Sequence, residues 1–236
     1  MSAAYTWGTQ EPEQRLPFPC DRCIERPDAA YYRGITVRAT PATLFRWLCQ
    51  LRVAPYSYDW IDNGGRRSPR TLTPGLEDLA AGQSMMRIFS LVEFAKDRHL
   101  TLRIKHGTGA FSLFGDLAIT YLIVPECAAR CRLLVKLLVR YPPGLTGTLM
   151  RWGLPWGDLV MMRRQLLNLR ARAESSPPRA TRPGSPARRA GDRGNARSVE
   201  PARAQTNRAL GDLTGAAGLC PVAPHRGKRE YFEEGG

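Results

Sequence analysis

Apolar and polar residues alternate along several short stretches in the middle of the chain, and this alternation predicts β-strands. The clearest stretch covers residues 98–105, where the aliphatic side chains of Leu100, Leu102 and Ile104 occupy every second position. Such a pattern is typical of an antiparallel strand with one buried face. Similar patterns predict further strands at residues 35–39, 87–94, 111–125 and 129–141.

The last of these stretches, residues 129–141, departs from strict alternation. Arginines and Lys136 fall on one of its faces, and that face would be expected to meet water. Leu134 and Leu138 fall on the same face and are exceptions to the pattern.

The period of the apolar residues becomes helical on either side of the predicted strands. Thr40 is suited to cap a helix and Pro41 to occupy its first turn. The apolar residues that follow lie on one helical face: Leu44, Phe45, Leu48 and Leu51. A short helix is predicted at residues 59–63, and a longer one is predicted near the end of the apolar part of the chain. The stripe of that longer helix consists of Leu159, Met162, Leu166 and Leu169.

Helices at the ends of a run of antiparallel strands predict an α+β domain, with the sheet wrapped around the last helix. We expect this domain at residues 31–173, after an N-terminal arm at residues 1–30 that contains four prolines and little regular structure. Residues 174–236 are rich in Pro, Arg, Ala and Gly and carry few aliphatic clusters. They are therefore predicted to form a disordered tail.

The charge of the chain is strongly positive, with 35 Lys and Arg against 21 Asp and Glu and a net charge of +14. Residues 174–236 contain 11 basic and 7 acidic residues, so +4 lies in the tail and +10 in the rest. A basic surface favours anionic partners such as nucleic acid, anionic lipid or acidic metabolites. Because no basic helix or RNA-binding motif accompanies the charge, nucleic acid is the least favoured partner, although the charge does not exclude it.

No secretory signal and no apolar stretch of membrane-spanning length is visible, so we expect a cytoplasmic protein without integral membrane insertion. In that compartment the six cysteines are expected to be thiols. Cys20 and Cys23 form a single CxxC, which could be half of a zinc site or a redox pair. Cys127 and Cys131 could supply two further thiolates, but no second CxxC follows and Cys131 lies on the apolar face of a predicted strand. We therefore expect no metal and no cofactor.

Residues 54–70 combine aromatic rings, carboxylates, an amide and a diglycine in one short segment. This mixture suits the wall of a ligand pocket, where rings supply surface and polar groups fix orientation. The residues predicted to contact a ligand are Tyr56, Tyr58, Asp59, Trp60, Asp62 and Asn63.

Other roles are open for the same residues. Tyr56 and Trp60 could be packing residues, and Asp59 and Asp62 could cap helices or bind the following turn. Asp59 and Asp62 share a face of a helix, and paired carboxylates can divide acid and base roles. The diglycine at Gly64 and Gly65 precedes two arginines and could touch a phosphate, although a turn is favoured.

Four stretches of the chain resemble the SRPBCC superfamily, also called START-like or helix-grip proteins. They are residues 33–39, 45–51, 54–70 and 156–163, and the likeness covers residues 20–173. Within the superfamily, the chain is most similar to uncharacterised actinobacterial proteins described as polyketide cyclase/dehydrase-like.

The resemblance implies a helix-grip fold with an apolar cavity for a hydrophobic molecule, but no particular activity, because such a fold hosts many functions. The favoured hypothesis is binding of a small hydrophobic ligand, lipid- or polyketide-like, for transport or sensing. The first alternative is a cyclase- or aromatase-like enzyme, and the second is a basic nucleic-acid-associated protein. The sequence does not predict the oligomeric state.

Overall fold

The computed structural model describes residues 3–62 and 64–176, except for the side chain of Asp62. Its sheet has six strands, each antiparallel to its neighbours, in the order β1-β6-β5-β4-β3-β2. The strands are β1 (Ala29–Val37), β2 (Ser84–Met85), β3 (Phe89–Ala95), β4 (His99–Ile104), β5 (Asp116–Cys127) and β6 (Arg130–Arg140). The disordered tail predicted from the sequence begins inside this range but falls mostly on residues outside it.

Helices precede, interrupt and follow the strands. They are α1 (Ala3–Thr6), α2 (Glu11–Gln14), α3 (Pro41–Cys49), α4 (Asp59–Asp62), α5 (Gly109–Phe114) and α6 (Gly144–Ser175), with 3-10 turns at Pro19–Arg22 and Gln50–Arg52. The predicted start of α3 is confirmed, because the Thr40 hydroxyl accepts a 3.1 Å hydrogen bond from the backbone N–H of Thr43. The helix α6 continues to Ser175, past the domain end expected at residue 173.

The main core lies between one face of the sheet and the helices α3 and α6. Leu100, Leu102 and Ile104 of β4 point into it, as their alternation predicts. From α6 it receives Met162 and Leu166, two residues of the predicted stripe. The α+β helix-grip fold expected from the sequence is thereby confirmed.

The opposite face of the sheet is covered by the N-terminal segment, for which the sequence predicts an arm with little regular structure. Phe18, Cys20 and Ile24 of this segment are buried against Leu134 and Leu138 of β6. The two leucines that break the alternation of residues 129–141 therefore belong to a second, smaller core. Because this cover excludes water, both faces of β6 can be apolar.

Residues 111–114 were expected to begin a long strand, and this expectation is wrong. They form α5, where the Thr108 hydroxyl accepts a hydrogen bond from the backbone N–H of Phe111 at 3.3 Å. The helix ends at Gly115, whose φ of 80° is readily available only to glycine. The strand β5 therefore begins one residue later, at Asp116.

Candidate functional site: a cavity between the sheet and α6

A cavity of about 630 Å³ lies between the sheet and α6. This volume is within the range of pockets that hold small organic molecules. Most of its wall is apolar: Pro55, Ile61, Met86, Ile88, Phe89, Phe114, Leu117, Ile119, Leu137, Leu154, Gly157, Met161 and Met162. The remaining lining residues are polar or carry a polar tip: Ser57, Arg87, Tyr121, Asp158 and Gln165. An apolar wall with a few polar groups is the usual composition of a ligand site.

Gln165 contributes an amide group to the cavity wall. Its amide nitrogen donates a 2.6 Å hydrogen bond to the carbonyl oxygen of Pro55, and its amide oxygen accepts one of 2.7 Å from the Tyr121 hydroxyl. Burial raises the pKa of Tyr121 far above its usual value, so this hydroxyl is neutral. Gln165 thus joins α6 both to β5 and to the segment that precedes α4.

Asp158 contributes a carboxyl group to the same wall. Its Oδ2 accepts a hydrogen bond of 2.7 Å from the guanidinium of Arg33, a residue of β1 that is almost completely buried. Burial raises the pKa of Asp158 to about 6, although the charge and hydrogen bond of Arg33 lower it. The cavity wall therefore includes a carboxyl group whose pKa is close to neutral pH.

The spacing of residues along α6 explains why these groups meet. Asp158, Met162 and Gln165 follow one another at intervals of four and three, so they share one face of the helix. This face adjoins the apolar stripe found in the sequence. Polar residues within such a stripe are the signal that could have identified Asp158 and Gln165, which the sequence analysis missed.

Four of the sequence-predicted ligand residues are described by the structure, and none of these four is part of the cavity wall: Tyr56, Tyr58, Asp59 and Trp60. Tyr56 is buried with its ring edge-on to Trp47, and its backbone has a φ of 58°. Its carbonyl oxygen accepts a 2.8 Å hydrogen bond from the side chain of Asn168. The Tyr56 hydroxyl is buried and has no hydrogen-bond partner among the described residues. Burial raises the pKa of Tyr56 to about 12.

Asp59 closes a loop. Its Oδ2 accepts a 2.8 Å hydrogen bond from the backbone N–H of Ser68, and its carbonyl oxygen accepts one from Gly65. Tyr58 is half-buried, whereas Trp60 is 75% exposed. The cavity wall receives neighbours of these residues instead, namely Pro55, Ser57 and Ile61.

The side chain of Asp62 and all of Asn63 lie outside the described residues. Ligand contact by Tyr56, Tyr58, Asp59, Trp60, Asp62 and Asn63 stays a prediction.

The CxxC cysteines belong to the second core. The Cys20 backbone N–H donates to the Thr120 hydroxyl at 2.9 Å, and burial raises the pKa of the Cys20 thiol to about 11. Within residues 3–62 and 64–176, no three His, Cys, Asp or Glu side chains are grouped as a metal site requires.

A second hollow, of about 600 Å³, shares Arg87 with the cavity. Its other lining residues are Val53, Gly64, Arg66, Arg67 and Pro69. Because three of the six are arginines and none is acidic, this basic groove is electropositive. It includes Gly64, the first glycine of the diglycine for which phosphate contact is one of the alternatives above.

Comparison with solved structures gives matches to chains of low sequence identity. A hypothetical protein from Helicobacter pylori is 13% identical, over 71% of this chain and 99% of that one, with a TM-score of 0.44. A START superfamily protein from Mycobacterium smegmatis is 13% identical, over 61% and 97% of the two chains, with a TM-score of 0.40. The di-domain ARO/CYC BexL from the BE-7585A biosynthetic pathway is 14% identical, over 61% and 46%, with a TM-score of 0.38.

These TM-scores are all below 0.5, so the likenesses carry no conclusion about ligand or reaction. Protein-family models give no match, and neither do curated proteins. The functional conclusions therefore rest on the residues and geometry of this chain: a helix-grip fold whose sheet and α6 enclose a mostly apolar cavity.

Proposed function

We propose that the cavity between the sheet and α6 binds a small, mostly hydrophobic molecule, for transport or sensing. The observation that carries this proposal is the cavity itself, about 630 Å³ with a mostly apolar wall. Placing an apolar molecule against such a wall removes apolar surface of both from water, which is favourable. A lipid- or polyketide-like ligand has this chemistry.

The polar lining residues support a ligand that also carries a polar group. Asp158 and Gln165 lie on one helical face, and the Tyr121 hydroxyl is bound to Gln165. A few fixed polar groups in an apolar pocket orient a ligand more than they add affinity. We therefore infer that the ligand has at least one hydroxyl or carbonyl group, which faces these polar side chains.

Catalysis of the cyclase or aromatase type is the alternative, and one observation favours it. The carboxyl of Asp158, with its pKa raised to about 6, lies on the wall of an apolar cavity. A general acid or base is most effective when its pKa is near the working pH. In this alternative Asp158 moves a proton on the bound ligand. The resemblance of residues 56–63 and 156–163 to the actinobacterial polyketide cyclase/dehydrase-like proteins supports the same alternative.

The test of ligand binding begins with native mass spectrometry of the full chain from its own host, followed by denaturing extraction. We expect a small hydrophobic molecule that stays bound to the folded protein and is released on denaturation. Titration with the neutral fluorescent dye N-phenyl-1-naphthylamine then measures access to the cavity in the emptied protein.

Two glycines of α6 provide a matched pair of variants. Gly157 lines the cavity, whereas Gly153, one turn earlier, does not, and an added Cβ at either position meets no atom within 4 Å. We expect Gly157→Trp to weaken dye binding by at least about tenfold, because the ring occupies the cavity. Gly153→Trp should leave it unchanged. Equal affinities in the two variants would contradict the proposed site.

The enzymatic alternative is tested with Asp158→Asn, which keeps the shape of the side chain but cannot take up a proton. If Asp158 is catalytic, this variant should still bind the extracted molecule but should no longer convert it. Unchanged conversion in the variant would remove Asp158 from the mechanism, whereas no conversion by the wild type would leave binding as the function.

A further inference from the structure

The outward face of the first half of α6 is apolar and exposed. The residues that form this face are Leu145, Leu149, Trp152, Trp156 and Val160, which we call the α6 row. Their intervals of four, three, four and four place them on one side of the helix. Leu145 is 90% exposed and Trp152 is 79% exposed. Single apolar residues are common on protein surfaces, but a contiguous row with two tryptophans marks a site of interaction.

The charges of the same helix are almost all positive. Between Gly144 and Ala173 the chain has five arginines and one acidic residue, Asp158, which is buried against Arg33. Arg163 and Arg164 are exposed and directly follow the α6 row. The surface that α6 presents to solvent is therefore apolar and cationic. Exposed tryptophans next to arginines suit the interface of an anionic membrane.

The α6 row and part of the cavity wall belong to the same helix. Trp156 and Val160 are each followed in sequence by a residue of the cavity wall, Gly157 and Met161 respectively. On α4 the exposed Trp60 precedes Ile61, which lines the cavity. The basic groove of Arg66, Arg67 and Arg87 borders the cavity as well.

We propose that the α6 row and Trp60 dock on an anionic phospholipid bilayer, with Arg163, Arg164 and the basic groove contacting lipid phosphates. Tryptophan favours the membrane–water interface, where its ring is half in the apolar layer and its N–H meets water or headgroups. Arginine pairs with phosphate through two parallel hydrogen bonds. Docking in this orientation brings the cavity next to the lipids. Among residues 3–62 and 64–176 no helix is long and apolar enough to cross a membrane.

The positive charge of this surface favours an anionic bilayer over a second copy of the chain as its partner. Two copies would bring together surfaces that are both cationic, on molecules with a net charge of +14 each. Like charges at an interface oppose association, whereas an anionic bilayer attracts the same surface. The bilayer is therefore the occupant that matches both the apolar and the charged part of the surface.

The experiment is vesicle flotation with the full chain. We expect binding to vesicles of phosphatidylcholine mixed with phosphatidylglycerol, weaker binding to phosphatidylcholine alone, and a decrease at high salt. The double variant Trp152→Glu and Trp156→Glu should lower binding by more than about tenfold, because it removes two insertable rings and adds two negative charges. Arg163→Gln with Arg164→Gln should mainly remove the preference for anionic vesicles.

Matched controls separate the α6 row from general charge and from unfolding. Val92 and Phe94 are exposed apolar residues of β3, outside the row, so Val92→Glu with Phe94→Glu adds the same charge elsewhere. It should keep at least half of the binding, and urea unfolding should show that both double variants are folded. Full binding by the tryptophan variant, or an equal loss in both variants, would overturn the proposal. The α6 row would instead bind a second copy of the chain if the wild type does not bind vesicles but forms dimers, and if the tryptophan variant stays monomeric.

Discussion

The guanidinium of Arg33 and the carboxylate of Asp158 lie 2.7 Å apart, with side chains that are 1% and 9% exposed. Arg33 belongs to β1 and Asp158 to α6, so the pair joins the sheet to the helix beside the cavity. The same guanidinium donates to the carbonyl oxygen of Ala4 at 2.8 Å, which also ties α1 to this point. A buried ion pair adds little net stability, because desolvation offsets the attraction, but the loss of one partner is costly.

Breaking this pair from one side should destabilise the protein strongly. In Arg33→Met the carboxylate of Asp158 is left buried without its cation, and we expect the free energy of unfolding at neutral pH to fall by about 3–5 kcal/mol. Replacing both residues, as Arg33→Met with Asp158→Leu, should recover most of that loss, because no charge is then left unpaired. Urea denaturation of the two single variants and the double variant measures this as a double-mutant cycle. Additive losses would contradict a direct coupling.

The free energy of unfolding should also depend on pH because of the titration of Asp158. Burial raises the pKa of its carboxyl from 3.8 to about 6, so the folded state binds the proton more tightly than the unfolded state. The resulting stabilisation is fully present below about pH 4 and is lost as the pH rises through 6. The shift corresponds to about 3 kcal/mol at pH 7.

Asp158→Asn isolates this contribution, because it removes the titrating group and keeps the shape of the side chain. The difference in unfolding free energy between wild type and variant should change between pH 4 and pH 7 in the variant's favour. Measurement at several pH values by urea unfolding checks it. A difference that is constant with pH would show that the carboxyl titrates normally in the folded protein.

The order of the elements could be predicted because it depends on local patterns. The cap at Thr40 and the alternation of β4 each lie within a few residues of sequence, and both are found in the structure. The second core was not predicted, because a chain segment more than 100 residues away decides which face of β6 meets water. Leu134 and Leu138 are buried only because Phe18 and its neighbours cover them.

The cavity wall was harder to predict than the fold. Arg33 and Asp158 are 125 residues apart in sequence, and nothing local to either indicates that they meet. The composition of the aromatic segment indicates a pocket, but it does not say which of the side chains turn inward. Tyr56 has a φ of 58° and packs on Trp47, whereas the neighbouring Pro55 and Ser57 line the cavity.

The buried hydroxyl of Tyr56 gives a prediction that separates packing from ligand contact. This hydroxyl has no hydrogen-bond partner among the described residues. Its burial therefore removes its hydrogen bonds to water and replaces them with none, which destabilises the folded state. Tyr56→Phe keeps the ring on Trp47 and should raise the free energy of unfolding by about 1–3 kcal/mol. Dye binding should be unchanged. A loss of stability would show that the hydroxyl has a partner, and a loss of dye binding would show that it serves the ligand site.

The N-terminal segment should be an integral part of the fold and not a removable arm. Phe18 is buried on Leu134 and Leu138, and the ammonium group of Lys136 lies 5.4 Å from the centre of its ring. Phe18→Ala removes that contact and should lower the free energy of unfolding by about 3–5 kcal/mol, as for other buried phenylalanines. Phe94→Ala is the matched control, because Phe94 is exposed on β3 and should cost less than about 1 kcal/mol. Trypsin should also cleave the N-terminal segment faster in the Phe18 variant. Equal, small losses in the two variants would mean that the segment rests on the sheet without stabilising it.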